Sequence, residues 1–256
     1  MTSMEQSLAS CDGLDSDKCV RVDRIDRILF FDKKGCDSQQ FSGASAICTS
    51  NITNHSTELA SSSFQHISVG NVVCFDRDIK LKPTVVVQGV RQHESWPDFF
   101  PGANFCTSPK GSFTCTIFIA ALEHIHQQLP QRLQDVQKWM ACDSGGGTYM
   151  HISRPETTQW CLWRKWTLFI LDKNCTKAMC VLDQELHRWM AKMFTEFRQT
   201  AGAMISLNKH VALFLIGKIS DAAQDSKKLR DQSWESCGWT PGCRLGQDKL
   251  LAERAG

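Results

Sequence analysis

From residue 67 onward the chain runs through short β-branched stretches closed off by glycine and proline. That pattern, more than any other, limits what it can fold into. Val72, Val73, Cys74 and Phe75 make one such stretch, and residues 84–87 (Thr-Val-Val-Val) make another. Apolar stretches this short, bounded by turn residues, mark buried strands. Residues 149–153, 163–171 and 210–216 read as further strands, and residues 113–119 as either a strand or the start of a helix. Two segments carry helical spacing instead. Residues 122–140 form an amphipathic pattern interrupted near Pro130, whose ring and missing N–H break a helix. In residues 181–200, Leu182, Leu186, Trp189, Met190, Met193, Phe194 and Phe197 recur at spacings of three and four, which is one face of a helix. Strands separated by turns, without regular helical crossovers, predict a mainly β, α+β chain. An antiparallel sandwich or barrel fits this better than a doubly wound sheet.

The flanks read differently from the middle. Residues 1–65 read as a poorly structured lead-in. Within them, residues 20–31 place Val22, Ile25, Ile28 and Leu29 at helical spacing, and residues 42–63 are rich in Ser, Thr and Asn, as a long loop would be. Asn51 and Asn54 each begin a glycosylation sequon, and the Ser/Thr-rich composition accounts for both. Residues 221–256 are charged, with helical patches around turns. The expected division is a lead-in at 1–65, a folded domain at 66–220 and a helical tail at 221–256.

Charge and cysteine usage exclude several classes. Lys and Arg total 29 against 27 for Asp and Glu, a net +2 with no dense basic stripe, so a strongly electrostatic nucleic-acid binder is not expected. The longest apolar stretch, residues 211–216, is far short of the ~20 residues a membrane-spanning helix needs. Residues 1–18 lack the basic start and apolar stretch of a secretory signal, which predicts an intracellular protein, nuclear or cytoplasmic. The 13 cysteines include no CxxC spacing, so a zinc ribbon is not expected. Reduced thiols packed as small apolar groups are.

Candidate chemistry centres on Gly147-Thr-Tyr-Met-His151-Ile-Ser153. On a strand, Tyr149, His151 and Ser153 project to one face. Two histidines and a carboxylate on one face of a metal, leaving positions open, are the ligand set of non-haem iron oxygenases. His210, at the start of the 210–216 segment, is the distant histidine, and Ser153 stands where the carboxylate would be. Other constellations are weaker. His124 and His126 would share a face on a strand, but the segment reads as helix, where residues two apart diverge. Residues 166–171 with Gln232 and Cys237 faintly resemble a ubiquitin-like-protein protease. Lys165 occupies the position of its histidine, and a thiol without that base is poorly activated.

The segment 147–160, with Thr157 and Trp160 six and nine residues beyond His151, resembles the metal-site strand of the Jumonji-C (JmjC) family, in its cupin-like branch. Lys165-Trp166-Thr167-Leu168-Phe169 is similar to the family's next strand. Residues 81–89 with Trp96-Pro97, and residues 202–207 with 210–215, are similar to its first strand and its second histidine segment. The likeness covers about residues 66–216. It implies a double-stranded β-helix (a jelly roll), shortened between Trp96 and His151, that binds iron(II) and 2-oxoglutarate. His151 and His210 would hold the metal, while Thr148 and Lys165 would bind the 2-oxoglutarate carboxylate. Lys165 reads equally well as a solvated lysine beside an aromatic strand. The implied activity is hydroxylation or demethylation of a protein side chain, and a protein is the implied partner. Ser153 in place of the carboxylate implies weak iron binding and low activity. The alternative is a catalytically inactive cupin-like binding or scaffold module.

Overall fold

A computed structural model of the chain describes residues 25–37, 66–76, 78–143, 148–171, 180–201 and 209–237. Its centre is one six-stranded mixed sheet. The strands are β1 (Ile28–Asp37), β2 (His66–Cys74), β3 (Thr84–Gln88), β4 (Asn104–Ser108), β5 (Lys138–Cys142) and β6 (Trp166–Ile170), in the order β4-β3-β2-β1-β5-β6. β2 is antiparallel to both β1 and β3, while β3/β4, β1/β5 and β5/β6 are parallel. The helices are α1 (Trp96–Phe99), α2 (Cys115–Gln128), α3 (Gln131–Gln134), α4 (Thr148–Ile152), α5 (Pro155–Arg164), α6 (His187–Ala201), α7 (Lys209–Asp225) and α8 (Lys227–Ser236). A π-helical turn, Leu182–Leu186, leads into α6.

Alternation along the strands sorts the core into two faces. Leu29, Phe31, Val72, Val86 and Met140 point to one face, which is covered by Phe118 and Leu122 of α2 and by Trp160 of α5. Ile28, Phe30, Val73, Trp139 and Ala141 point to the other, beneath Leu182, Met190 and Trp234. Val85, Val87 and Ile67 continue that second face under Leu213 and Ile216 of α7. Helices therefore cover both faces, and burial on both sides explains the unbroken apolar stretches Ile28–Phe31, Val72–Cys74 and Val85–Val87.

The α+β class, with helices rather than strands forming most of it, the strands at 72–74, 84–87 and 166–170, and the helix beginning near 181 stand; Phe75 lies just past β2, and residues 163–165 belong to the end and cap of α5 rather than to the strand expected at 163–171. Several assignments are corrected. Residues 28–37 belong to the central strand, not to an unstructured lead-in. The pattern at 20–31 mimics helical spacing, but Ile28, Leu29, Phe30 and Phe31 are all buried, two on each face. Residues 149–153 lie in and just beyond α4 rather than in a strand. Residues 210–216 are helical: Leu213, Ile216, Ser220 and Ala223 carry the buried stripe on to the end of α7. A six-residue apolar stretch does not distinguish a buried strand from a buried helix; the continuing period does. Finally, 221–237 is not an appended tail, because Trp234 of α8 is fully buried against Phe30 and Phe75, with ring centroids 5.1 and 4.5 Å away. The helical pattern expected over 122–140 stops at Gln134, and residues 138–140 are strand, the start of β5; β4 is an addition that the sequence pattern did not show. The described residues do not form the two facing antiparallel sheets of a double-stranded β-helix.

Eight cysteines among the described residues are free thiols. No helix among the described residues is long and apolar enough to cross a membrane.

Candidate metal centre

The chain runs outward from β1 through β2, β3 and β4 on one side, then returns to lay β5 and β6 on the other. The boundary between β1 and β5 is therefore a topological switch point, and crevices of open sheets form beyond the carboxyl ends of parallel strands at such a point. Phe31 pairs with Cys142, the last residue of β5, so Asp32 is the first residue of β1 past the parallel ladder. Asp143 follows β5 directly, and its N–H donates to the Phe31 carbonyl at 3.3 Å. Asp32 and Asp143 thus each lie one residue past the parallel β1/β5 ladder, Asp32 within β1, which runs on against β2, and Asp143 just after β5.

Asp32 shares the face of Ile28 and Phe30. It is buried and accepts a 2.6 Å hydrogen bond from the Lys33 N–H at Oδ1. The segment above that face brings three more groups. Cys180 is buried just before the π-helical turn, Asp183 sits within it, and His187 begins α6. One ligand atom each from Asp32, Cys180 and Asp183 lies within 4.8 Å of the others. His187 Nδ1 is 3.1 Å from Asp183 Oδ1 and 3.3 Å from Asp32 Oδ2. On the far side of the ring, Nε2 is 3.2 Å from Asn71 Nδ2. Asn71 is the cross-strand partner of Asp32. Asp183 and His187 are four residues apart, so the helical turn stacks them on one side. Turns of π-helix recur where proteins place functional side chains.

The electrostatics follow from burial and pairing. Burial favours neutral His187, but hydrogen bonds to Asp183 and Asp32 outweigh it and hold the imidazole above its ordinary value. The hydrogen bond from His187 holds the Asp183 carboxyl below the usual range, with Lys34 adding to the effect. Burial pushes the Cys180 thiol up, so it stays protonated at neutral pH. Two converging carboxylates suit a hard divalent cation such as Mg²⁺ or Mn²⁺. Adding a thiolate shifts the preference toward Zn²⁺, which would have to displace the Cys180 proton.

The residues singled out from sequence fall elsewhere. Thr148 is the buried first residue of α4. His151, on the same helix, stacks 6.0 Å from the Phe118 ring and so lies on the α2 face of the sheet. His210 opens α7, with its ring 5.3 Å from His93 and 5.2 Å from Phe99, on the opposite face. The sheet stands between the two histidines, which the structure does not bring together. Lys165 caps α5 in a left-handed conformation (φ 57°), and its Nζ donates to the Asp135 carbonyl at 2.7 Å. Ser153 is exposed. In α2, His126 lies two residues beyond His124, on the helix that the sequence predicts, and accepts a 3.3 Å bond from Trp166 Nε1.

Asp32, Asp183, His187 and Asn71 were not found from the sequence. The Asp183–His187 spacing was a usable signal. Asp32 is hidden because the apolar residues that precede it imitate helical spacing within the 1–65 lead-in. No protein-family model matches the chain, and no curated protein matches it.

Proposed function

We propose that the chain is a divalent-cation-dependent enzyme acting on a phosphate ester, with the cation held by Asp32 and Asp183. The convergence of these two carboxylates above β1, where its parallel ladder with β5 stops at the switch point of the sheet, carries the reading. Cations held by only one or two carboxylates keep positions open for phosphate oxygens and polarise the phosphorus centre. Lys34, whose charge acts on Asp183, supplies a positive field for an anionic substrate.

The iron(II) and 2-oxoglutarate reading rests on the sequence resemblance alone, since it needs His151 and His210 on one ion. The test of the cation site is Mn²⁺ titration followed by electron paramagnetic resonance, with hydrolysis of bis-p-nitrophenyl phosphate as the activity readout. Saturable Mn²⁺ binding that Asp32→Asn and Asp183→Asn each abolish is expected. Absence of Mn²⁺, Mg²⁺ and Zn²⁺ binding to the wild type would sink it.

A second reading, a protein-binding module, is favoured by a separate observation. Leu162 and Trp163 at the end of α5 are about 70% exposed, and Met150 of α4 is 57% exposed. The Arg164 guanidinium lies 4.2 Å from the Trp163 ring centroid. Trp, Met and Arg are enriched at protein interfaces. Loss of a partner on Trp163→Glu, with cation binding intact, would favour this module.

A further inference from the structure

We infer that Asn71 is a positioning residue which fixes the tautomer of His187, so that the ring holds Asp32 and Asp183 together. The inference rests on the cation-site reading for its functional consequence, but not for its geometry. Asn71 is 3% exposed and His187 is 3% exposed, so neither polar group has bulk water as an alternative partner. Asn71 Nδ2 lies 3.2 Å from His187 Nε2. In the neutral ring, an amide N–H donating there requires Nε2 to carry the lone pair, which leaves the proton on Nδ1; in the imidazolium both nitrogens carry protons, and the amide offers Oδ1 to Nε2 instead. Nδ1 faces both carboxylates, at 3.1 and 3.3 Å. Asn71 is also the register partner of Asp32, so β1 and β2 hold the amide and the carboxylate at a fixed separation. Three chain segments thus meet on one imidazole: β1 through Asp32, β2 through Asn71, and the π-helical turn through Asp183. Outer partners of this kind set ring orientation and carboxylate placement, and losing one typically weakens metal affinity 10- to 100-fold.

The test pairs ¹⁵N NMR of the His187 ring with Mn²⁺ titration, on the full chain, in wild type and Asn71→Leu. Leucine has nearly the same volume and removes both polar atoms. In wild type, at a pH where the ring is neutral, Nδ1 should carry the proton. In Asn71→Leu the Nε2–H tautomer should appear, and Mn²⁺ affinity should fall about tenfold while the far-UV spectrum is retained. Asn71→Ser, which keeps a short donor, should restore part of the Nδ1–H population. Wild type with the proton on Nε2, or Asn71→Leu with tautomer and affinity unchanged, overturns the inference. If wild type binds no Mn²⁺, the cation-site reading fails, and the tautomer measurement still decides the role of Asn71.

Discussion

Lys138 offers the sharpest test of how this core is balanced. It is the first residue of β5 and has no exposed surface, yet it carries an amine. Its Nζ donates to the carbonyls of Leu133, Gln134 and Val136 at 2.9, 2.9 and 2.7 Å, which uses all three N–H groups of the ammonium. The Trp166 ring centroid lies 5.4 Å away. Burial nonetheless brings the amine down from 10.5 to about 8, despite the opposing charge of Asp135. Such a drop corresponds to about 3 kcal/mol of differential stability. The sign follows from the depressed value. Below pH 8 the amine is charged in both the folded and unfolded states, and the full desolvation cost opposes folding. As pH rises past 8 the folded protein sheds the proton first, and by pH 10.5 the cost is gone. The perturbation is Lys138→Met, which keeps the stem and removes the titration. Urea unfolding with reductant at 25 °C, from pH 7 to 10.5, gives the stability of each protein. Buried thiols such as Cys74 and Cys161, pushed up to about 12 by burial, destabilise both proteins equally at high pH and cancel in the difference. Wild-type stability relative to Lys138→Met should rise by about 3 kcal/mol across that range. A flat difference would mean that the three carbonyls compensate burial fully, and the argument would be falsified.

Other outcomes follow from the same contacts. Trp234→Ala empties the site between Phe30 and Phe75 and should cost 3–5 kcal/mol, roughly, by thermal unfolding. His187→Leu leaves Asp32 buried without its cationic partner and should cost about 2–4 kcal/mol at pH 6 in urea. The contribution of His187 is present below its ordinary 6.5 and is lost as pH rises through its raised value. That of Asp183 is present above 3.8 and is lost as pH falls through its lowered one. The His187→Leu penalty should therefore peak between those limits, and a penalty independent of pH would argue against the pair. Gly111→Ala should lower the melting temperature, because φ is 66° and the new Cβ would stand 2.6 Å from the His66 carbonyl oxygen.

What the sequence revealed depended on whether local pattern and tertiary burial agreed. β2 and β3 were legible because their apolar runs are short and closed by Gly and Pro. α6 was legible because its stripe is long. β1 was not, since a strand buried on both faces loses its alternation, and Ile25, Ile28 and Leu29 then imitate a helix. α4 reads as a strand because Thr, Tyr and Ile favour strands; in the structure the segment is a helix whose His151 stacks on Phe118. The candidate site was hidden for a related reason. Its residues come from β1, β2 and the π-helical turn, separated by long stretches of chain, and only the sheet register makes Asp32 and Asn71 neighbours.

The strand at the middle of the sheet is also the first to be made during synthesis. β2, β3 and β4 can pair outward from β1 as they emerge. The opposite edge of β1 waits for β5, and Phe30 waits for Trp234, about two hundred residues later. At ribosomal rates of ~5–20 residues per second, Phe30 waits for Trp234 roughly 10–40 s and Phe75 roughly 8–30 s. Pairing across such sequence distances is intrinsically slow. A nascent chain arrested before α8 should therefore expose these aromatic rings to chaperones, whereas one extended beyond Cys237 and free of the exit tunnel should release them.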